Sequence, residues 1–231
     1  MATNHFKNTV CLMIGLIAAA SYGKELPDLV TRLQKLDGRN PIRAIVHIED
    51  RTSRTEDKDA KPFEQTDLMI TADANTLTLS ITGPMSNTRI LREFSLLRAG
   101  ELVHYAQPLA RELTELKVLE VRPDSHEGLS CTRWRMESEQ KESKLWMSST
   151  TRKDVELWID ADGYPVAGSF KTQAKANVLL LKINSEAVRY QRYARWADRL
   201  VMILDRNDTD VKTKVGDEKR TVTTTVDISK S

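Results

Sequence analysis

The chain of 231 residues carries 35 lysines and arginines against 33 aspartates and glutamates, a formal net charge of +2, and 40% of its residues are hydrophobic. A balance so close to neutral gives no electrostatic reason to expect nucleic acid as a partner. The length lets one domain bury a full core without help from disulfides.

Residues 1–23 read as a cleavable export signal. Lys7 precedes an apolar stretch from Val10 to Ala20, and small residues then lead to Lys24-Glu25, with cleavage expected at Ser21-Tyr22-Gly23 or Ala18-Ala19-Ala20. The stretch is shorter than the roughly 20 residues that span a bilayer, so an N-terminal anchor, or an apolar helix of the domain, is the alternative that fits less well. No transmembrane span is expected after signal removal. Cys11 lies at the start of the apolar core rather than behind it, which argues against an acylated cysteine. Residues 24–231 then form a single β-rich domain whose one cysteine, Cys131, excludes an internal disulfide and every multi-cysteine metal site. Within Leu129-Ser-Cys-Thr-Arg-Trp-Arg-Met136, Cys131 reads as a small buried apolar residue rather than a reactive thiol.

Leu26, Leu29, Val30, Leu33 and Leu36 recur at the spacing of a short amphipathic helix that ends at Asp37-Gly38. Ile42, Ala44, Val46 and Ile48 alternate with Arg43, Ile45, His47 and Glu49, the pattern of a strand covered on one side. Arg51 to Lys61 is charged and reads as a loop. Phe63 to Asp73 and Thr76 to Thr82 form a hairpin about Asn75. From Ser86 to Leu116 the period becomes helical. Ile90, Leu91, Phe94 and Leu97 fit one helix, and Leu102, Ala106, Leu109, Leu113 and Leu116 fit another after Gly100, with Pro108 expected to kink or break it.

Eight further strands are expected: Lys117 to Val121, Leu129 to Glu137, Asp154 to Asp160, Tyr164 to Lys175, Val178 to Ile183, Val188 to Arg195, Leu200 to Leu204 and Arg220 to Ile228. Consecutive strands without helical crossovers make an antiparallel sheet. A two-residue turn at Asp162-Gly163 would set Ile159 against Val166, Leu157 against Gly168 and Val155 against Phe170. Val178-Leu-Leu-Leu181 is apolar at both parities, as in a central strand with helices on one face and a cavity on the other.

No Gly-x-Ser-x-Gly elbow, Walker loop, Gly-x-Gly-x-x-Gly turn or His-Glu-x-x-His pair is present, so no catalytic residue and no cofactor are assigned. His47, His104 and His126 lie on separate elements with no ligand spacing. Asp160-Ala-Asp162-Gly163 and Asp205-Arg-Asn207-Asp208-Thr-Asp210 begin like calcium loops but do not complete the ligand set, so turn and loop chemistry accounts for both and no metal is assigned. Arg189-Tyr190, Arg192-Tyr193 and Arg195-Trp196 interleave cations with aromatics, yet a spacing of three scatters them over both faces of a strand. Arg189, Arg192, Tyr193, Arg195 and Trp196 are nonetheless the candidates for a contact surface. Trp134, Trp146, Trp158 and Trp196 serve either an apolar ligand site or core packing.

The element order, and the segment Val155-Glu-Leu-Trp158-Ile-Asp160-Ala-Asp-Gly163-Tyr-Pro165-Val166, resemble the LolA-like family of bacterial periplasmic proteins, with Tyr164 at the position where that family has leucine. The resemblance implies an α+β, mainly β fold: a curved antiparallel sheet forming an incomplete barrel, its concave face covered by the N-terminal helix and the inserted helical segment. It implies an exported, periplasmic, non-enzymatic protein that holds a lipid or acylated partner in an apolar groove. Val155, Leu157, Ile159, Val166, Phe170, Leu179 and Leu181 are the groove candidates, and Phe94, Leu102 and Leu109 the lid candidates. The alternative is a structural or protein-interaction module of the cell envelope with no lipid ligand.

Overall fold

The computed structural model describes residues 25–54, 64–83, 90, 94–144, 147–178, 181–213 and 216–229. The expected signal at 1–23 lies outside the described residues, as do Leu91, Trp146 and Leu179. No helix among the described residues is long and apolar enough to cross a membrane.

Strands β1 (Ile42–Arg54), β2 (Glu64–Ala72), β3 (Leu77–Ile81), β4 (Lys117–His126), β5 (Leu129–Lys144), β6 (Met147–Ile159), β7 (Pro165–Val178), β8 (Leu181–Trp196), β9 (Arg199–Lys212) and β10 (Asp217–Ser229) form one antiparallel sheet. Their order is β3-β2-β1-β10-β9-β8-β7-β6-β5-β4, so the sheet stays open and half-barrel-like, with β3 and β4 at its edges. Among the described residues three helical stretches accompany it: α1 (25–34), α2 (Leu96–Val103) and α3 (Ala106–Leu113). Helix α2 packs against β2, β3 and β9, and α3 against β9. Leu29, Val30 and Leu33 of α1 join Leu102, Leu109 and Leu113 in one core with the sheet residues that alternate inward, such as Val46, Leu68, Met136, Leu157 and Met202. Period-two alternation decides this face: in β1, Ile42, Ala44, Val46 and Ile48 are at most 3% exposed while Ile45 is 38% exposed.

The sheet is longer than its core. Outward from Glu137 in β5, Asp154 in β6, Lys171 in β7 and Arg206 in β9, and before Gln191 in β8, none of the described side chains is buried. These polar halves of the strands are held by backbone pairing and cross-strand contacts such as Gln173 Nε2 to Glu186 Oε2 at 2.9 Å.

Several expectations are corrected. Val178–Leu181 is not a central strand. Val178 ends β7, Leu181 begins β8, and the two are register partners on antiparallel strands. Four consecutive buried residues occur instead at Arg199–Met202, where β9 leaves its turn. The stretch 205–212 belongs to β9 rather than to a loop, and β1 runs on through Arg54.

The break between α2 and α3 falls at His104-Tyr105, not at Gly100, because the Tyr105 N–H is donated to the Leu200 carbonyl of β9 at 2.7 Å. Pro108 lies in the first turn of α3, where its missing N–H costs no helical bond and produces no kink. Leu97, expected on the apolar face of a helix, is 75% exposed.

The β6–β7 hairpin keeps Val155↔Phe170 and Leu157↔Gly168 as expected, but Ile159 pairs with Pro165 rather than Val166. The Asp160 N–H bonds to the Tyr164 carbonyl at 2.9 Å, and Gly163 has φ +81°. The turn is thus one residue longer than Asp162-Gly163 alone, and the register shift between Trp158 and Ile159 absorbs the difference.

Candidate functional site

On β1 the inward row Ile42, Ala44, Val46, Ile48 ends at Asp50, and neighbouring strands change character at the same level. Register places Asp50 beside Val222 and Thr52 beside Arg220 on β10, Thr224 beside Asp205 and Val222 beside Asn207 on β9, and Asn207 beside Arg189 on β8. Four strands therefore bring an ionic band together just beyond the apolar core. Above it, the Ser95 Oγ accepts the Arg98 N–H at 3.2 Å, which starts α2 and puts Arg98 in its first turn over β9. Between the band and the side chains of Ile90 and Phe94 lies a cavity of about 380 Å³. Ile48, Ile90, Phe94 and Val222 give it apolar walls, and Asp50, Arg98, Arg189, Asp205 and Arg220 give it a charged floor.

The floor is built of two hydrogen-bonded ionic groups, one around Asp205 and one at Asp50. Arg189 donates from Nε to Asp205 Oδ1 at 2.7 Å and from Nη2 to Oδ2 at 3.2 Å. Arg98 donates from Nη2 to the same Oδ2 and from Nη1 to Glu101 Oε2 at 3.2 Å. Gln191 Nε2 adds a bond to Asp205 Oδ1 at 3.2 Å, and the Tyr193 hydroxyl donates to Gln191 Oε1. Arg220 reaches Asp50 Oδ2 from Nη2 at 2.6 Å and from Nε at 3.1 Å. The Asp50 and Asp205 side chains are only 0% and 7% exposed, a burial that a carboxylate tolerates only with such partners. The Arg98, Arg189 and Arg220 side chains are 24%, 28% and 28% exposed. The acids therefore lie deepest.

Burial acts to lower the Arg189 pKa, but the hydrogen bond and charge of Asp205, together with Tyr105, outweigh it and hold the guanidinium above the ordinary arginine value. Its guanidinium carbon sits 5.7 Å from the centre of the Tyr105 ring, which stacks on Tyr193 with centroids 5.9 Å apart. Burial raises the Tyr105 and Tyr193 phenols, so both stay neutral and able to donate.

The sequence-derived groove candidates lie elsewhere. Val155, Leu157, Ile159 and Phe170 are 1%, 0%, 5% and 6% exposed and belong to the buried core. Val166 falls at the register shift and is half-buried, while Leu181 starts β8. Of the lid candidates, Leu102 and Leu109 are completely buried core residues, and only Phe94 reaches the cavity. The arginine–aromatic strand divides. Arg189 and Tyr193 turn inward, and Tyr193 is only 5% exposed. Arg192 meets Glu127 at 2.8 Å, Arg195 lies 4.8 Å over the Tyr164 ring, and Trp196 is partly buried against the core. Asp205, Arg98, Arg220 and Asp50 were missed. The available signal was the polar row Arg189, Gln191, Tyr193 at one strand parity, which calls for a buried counter-charge.

A second polar cluster lies where the tip of the β4–β5 hairpin meets β6 and β8. His126 Nε2 is 3.0 Å from the Tyr190 hydroxyl, its ring is 4.7 Å from that of Trp158, and the Trp158 indole N–H donates to Asp124 at 3.2 Å. Cys131 is 6% exposed, and burial raises its thiol pKa. Among the described residues no group of three or more His, Cys, Asp or Glu side chains is placed to hold a metal ion.

No family model, curated protein or solved structure matches this chain. The LolA-like resemblance rests on the residues quoted for it.

Proposed function

We propose that this is an exported, non-enzymatic binding protein of LolA-like, incomplete-barrel architecture that takes the acyl portion of a lipid or acylated partner into the cavity between α2 and strands β1, β10, β9 and β8. The observation that carries the reading is the cavity itself: about 380 Å³ walled by Ile48, Ile90, Phe94 and Val222, at the edge of the buried core. That volume falls in the range of small-molecule sites. Each methylene that enters gains about 0.8 kcal/mol, so a chain of four or five methylenes contributes about 3–4 kcal/mol without any covalent step. The titratable groups lining the cavity are three arginines and two aspartates already bonded to them, an arrangement suited to holding a ligand rather than to moving protons.

The test is native mass spectrometry of the mature protein purified from its own compartment, with extraction of bound lipid, followed by titration with acyl compounds of several head groups. An acyl molecule should co-purify or be taken up, and Phe94→Asp should weaken uptake about tenfold or more while the melting temperature is retained. A protein that takes up no acyl compound, whatever its head group, would overturn the proposal and return the envelope interaction module as the better reading.

A further inference from the structure

Resting on that reading, the geometry points to the class of ligand: we infer that the cavity takes an anionic amphiphile, an acyl chain ending in a single carboxylate or phosphate, with the anion held by Arg98, Arg189 and Arg220. Three guanidinium groups and two carboxylates line the cavity, so its lining carries one more positive charge than negative. Glu101 bonds Arg98 but is not part of the lining.

Depth matters more than the count. Asp50 and Asp205 are 0% and 7% exposed, whereas each of the three arginines keeps about a quarter of its side chain accessible. A molecule entering the cavity therefore meets guanidinium groups that are more accessible than the aspartates Asp50 and Asp205 that pair with them. Each guanidinium has about five N–H donors. Arg98 spends one nitrogen on Asp205 and one on Glu101, and Arg189 spends its Nε and Nη2 on Asp205 and reaches the Tyr105 hydroxyl from Nη1 only at 3.5 Å. The planar fork of arginine suits carboxylate and phosphate oxygens. The Asp205 carboxylate already shows how two arginines from different elements, one on α2 and one on β8, converge on a single anion. Ile48, Ile90, Phe94 and Val222 continue the same space as apolar wall, so head and tail are read side by side.

The experiment is calorimetric titration of the mature protein with probes that share one chain and differ in head group, namely decanoate, decyl phosphate, decanol and decyltrimethylammonium, with acetate and inorganic phosphate as arms without a tail. Decanoate and decyl phosphate should bind about tenfold or more tightly than decanol, and decyltrimethylammonium most weakly. Arg98→Gln and Arg220→Gln should erase most of the anion preference while leaving decanol affinity in place, which also reports that the cavity is intact. Asn207→Asp adds a negative charge to the lining without removing any ion-pair partner, and should weaken the anions alone by about tenfold. Equal binding of decanol and decanoate would overturn the head-group inference and leave the acyl-binding proposal standing. Binding of none of the chains would overturn both, and inorganic phosphate binding as tightly as decyl phosphate would overturn the amphiphile.

Discussion

Asp205→Asn keeps the shape of a side chain that is 7% exposed and removes its charge, so two guanidinium groups, Arg98 and Arg189, lose their shared counter-ion. Removing one partner of a buried ion pair costs about 3–5 kcal/mol. Here the arginine side chains are 24% and 28% exposed, so water recovers part of the loss and the expected cost is about 2–3 kcal/mol. In a domain of this size each kcal/mol moves the melting temperature by about 2–4 °C, which gives a fall of about 4–12 °C in calorimetry at pH 7. Anion affinity should move the other way, because the same change deepens the positive charge of the cavity, and decanoate should bind the variant more tightly than the wild type. The double replacement Arg189→Leu with Asp205→Leu should cost less than the sum of the single changes, since it leaves one fewer stranded charge. A melting temperature lowered by less than about 2 °C would refute the structural part of the reasoning. Weaker decanoate binding by Asp205→Asn would refute the electrostatic part.

Two histidines should give the stability opposite dependences on pH. The hydrogen bond from His47 to Asp67 at 2.8 Å, aided by the charges of Asp67 and Asp227, outweighs burial and raises the imidazole pKa. Its contribution is therefore complete below the ordinary value of about 6.5 and fades as the pH rises through the raised pKa. The melting temperature lost in His47→Gln should be largest near pH 5.5 and smallest near pH 8.5, and a loss independent of pH would contradict the assignment. His104 is the reverse case, lowered by burial and by Arg199, so its contribution is present above about 6.5 and lost as the pH falls through the lowered pKa. A third prediction concerns Gly38, which has φ +66° and whose added Cβ would lie 2.9 Å from the His104 ring. Gly38→Ala should lower the unfolding free energy measured in urea by the left-handed backbone cost of about 1–2 kcal/mol plus the displacement of that ring. Gly128→Ala, at φ +82° with open space around it, should show the backbone cost alone, and equal losses at the two sites would remove the packing argument.

What could be read from the sequence was local. The Asn75 hairpin is announced by turn chemistry, and the structure seats it with Asp73 Oδ1 accepting the N–H groups of Asn75 and Thr76 at 2.8 Å. Val155↔Phe170 and Leu157↔Gly168 follow from alternation about a nearby glycine turn. The strand lengths were not legible, because the outer halves of β5 to β9 carry no apolar alternation and are held by backbone bonds to partners already in place. The apolar run at 178–181 imitates a core strand by composition, yet Val178 ends β7 and Leu181 begins β8 as its register partner. Asp205 and its neighbours imitate an acidic loop, because the arginines that neutralise it come from Arg98 and Arg189, remote in sequence, and only the folded sheet brings them together.

The same comparison explains why the cavity sits where it does. Core strands alternate apolar against polar, and the outer halves are polar on both faces, so each inward row must cross from one regime to the other. On β6 and β7 the last inward apolar residues, Val155 and Phe170, are 1% and 6% exposed and close the core. On β1, β10, β9 and β8 the crossing is made by Asp50, Arg220, Asp205 and Arg189, side chains that satisfy one another in pairs and so do not fill space as hydrocarbon would. Phe94 and Ile90 roof this crossing without packing it solid. A space with apolar walls and a charged floor is the physical result, and it is this boundary that the proposed amphiphile would occupy.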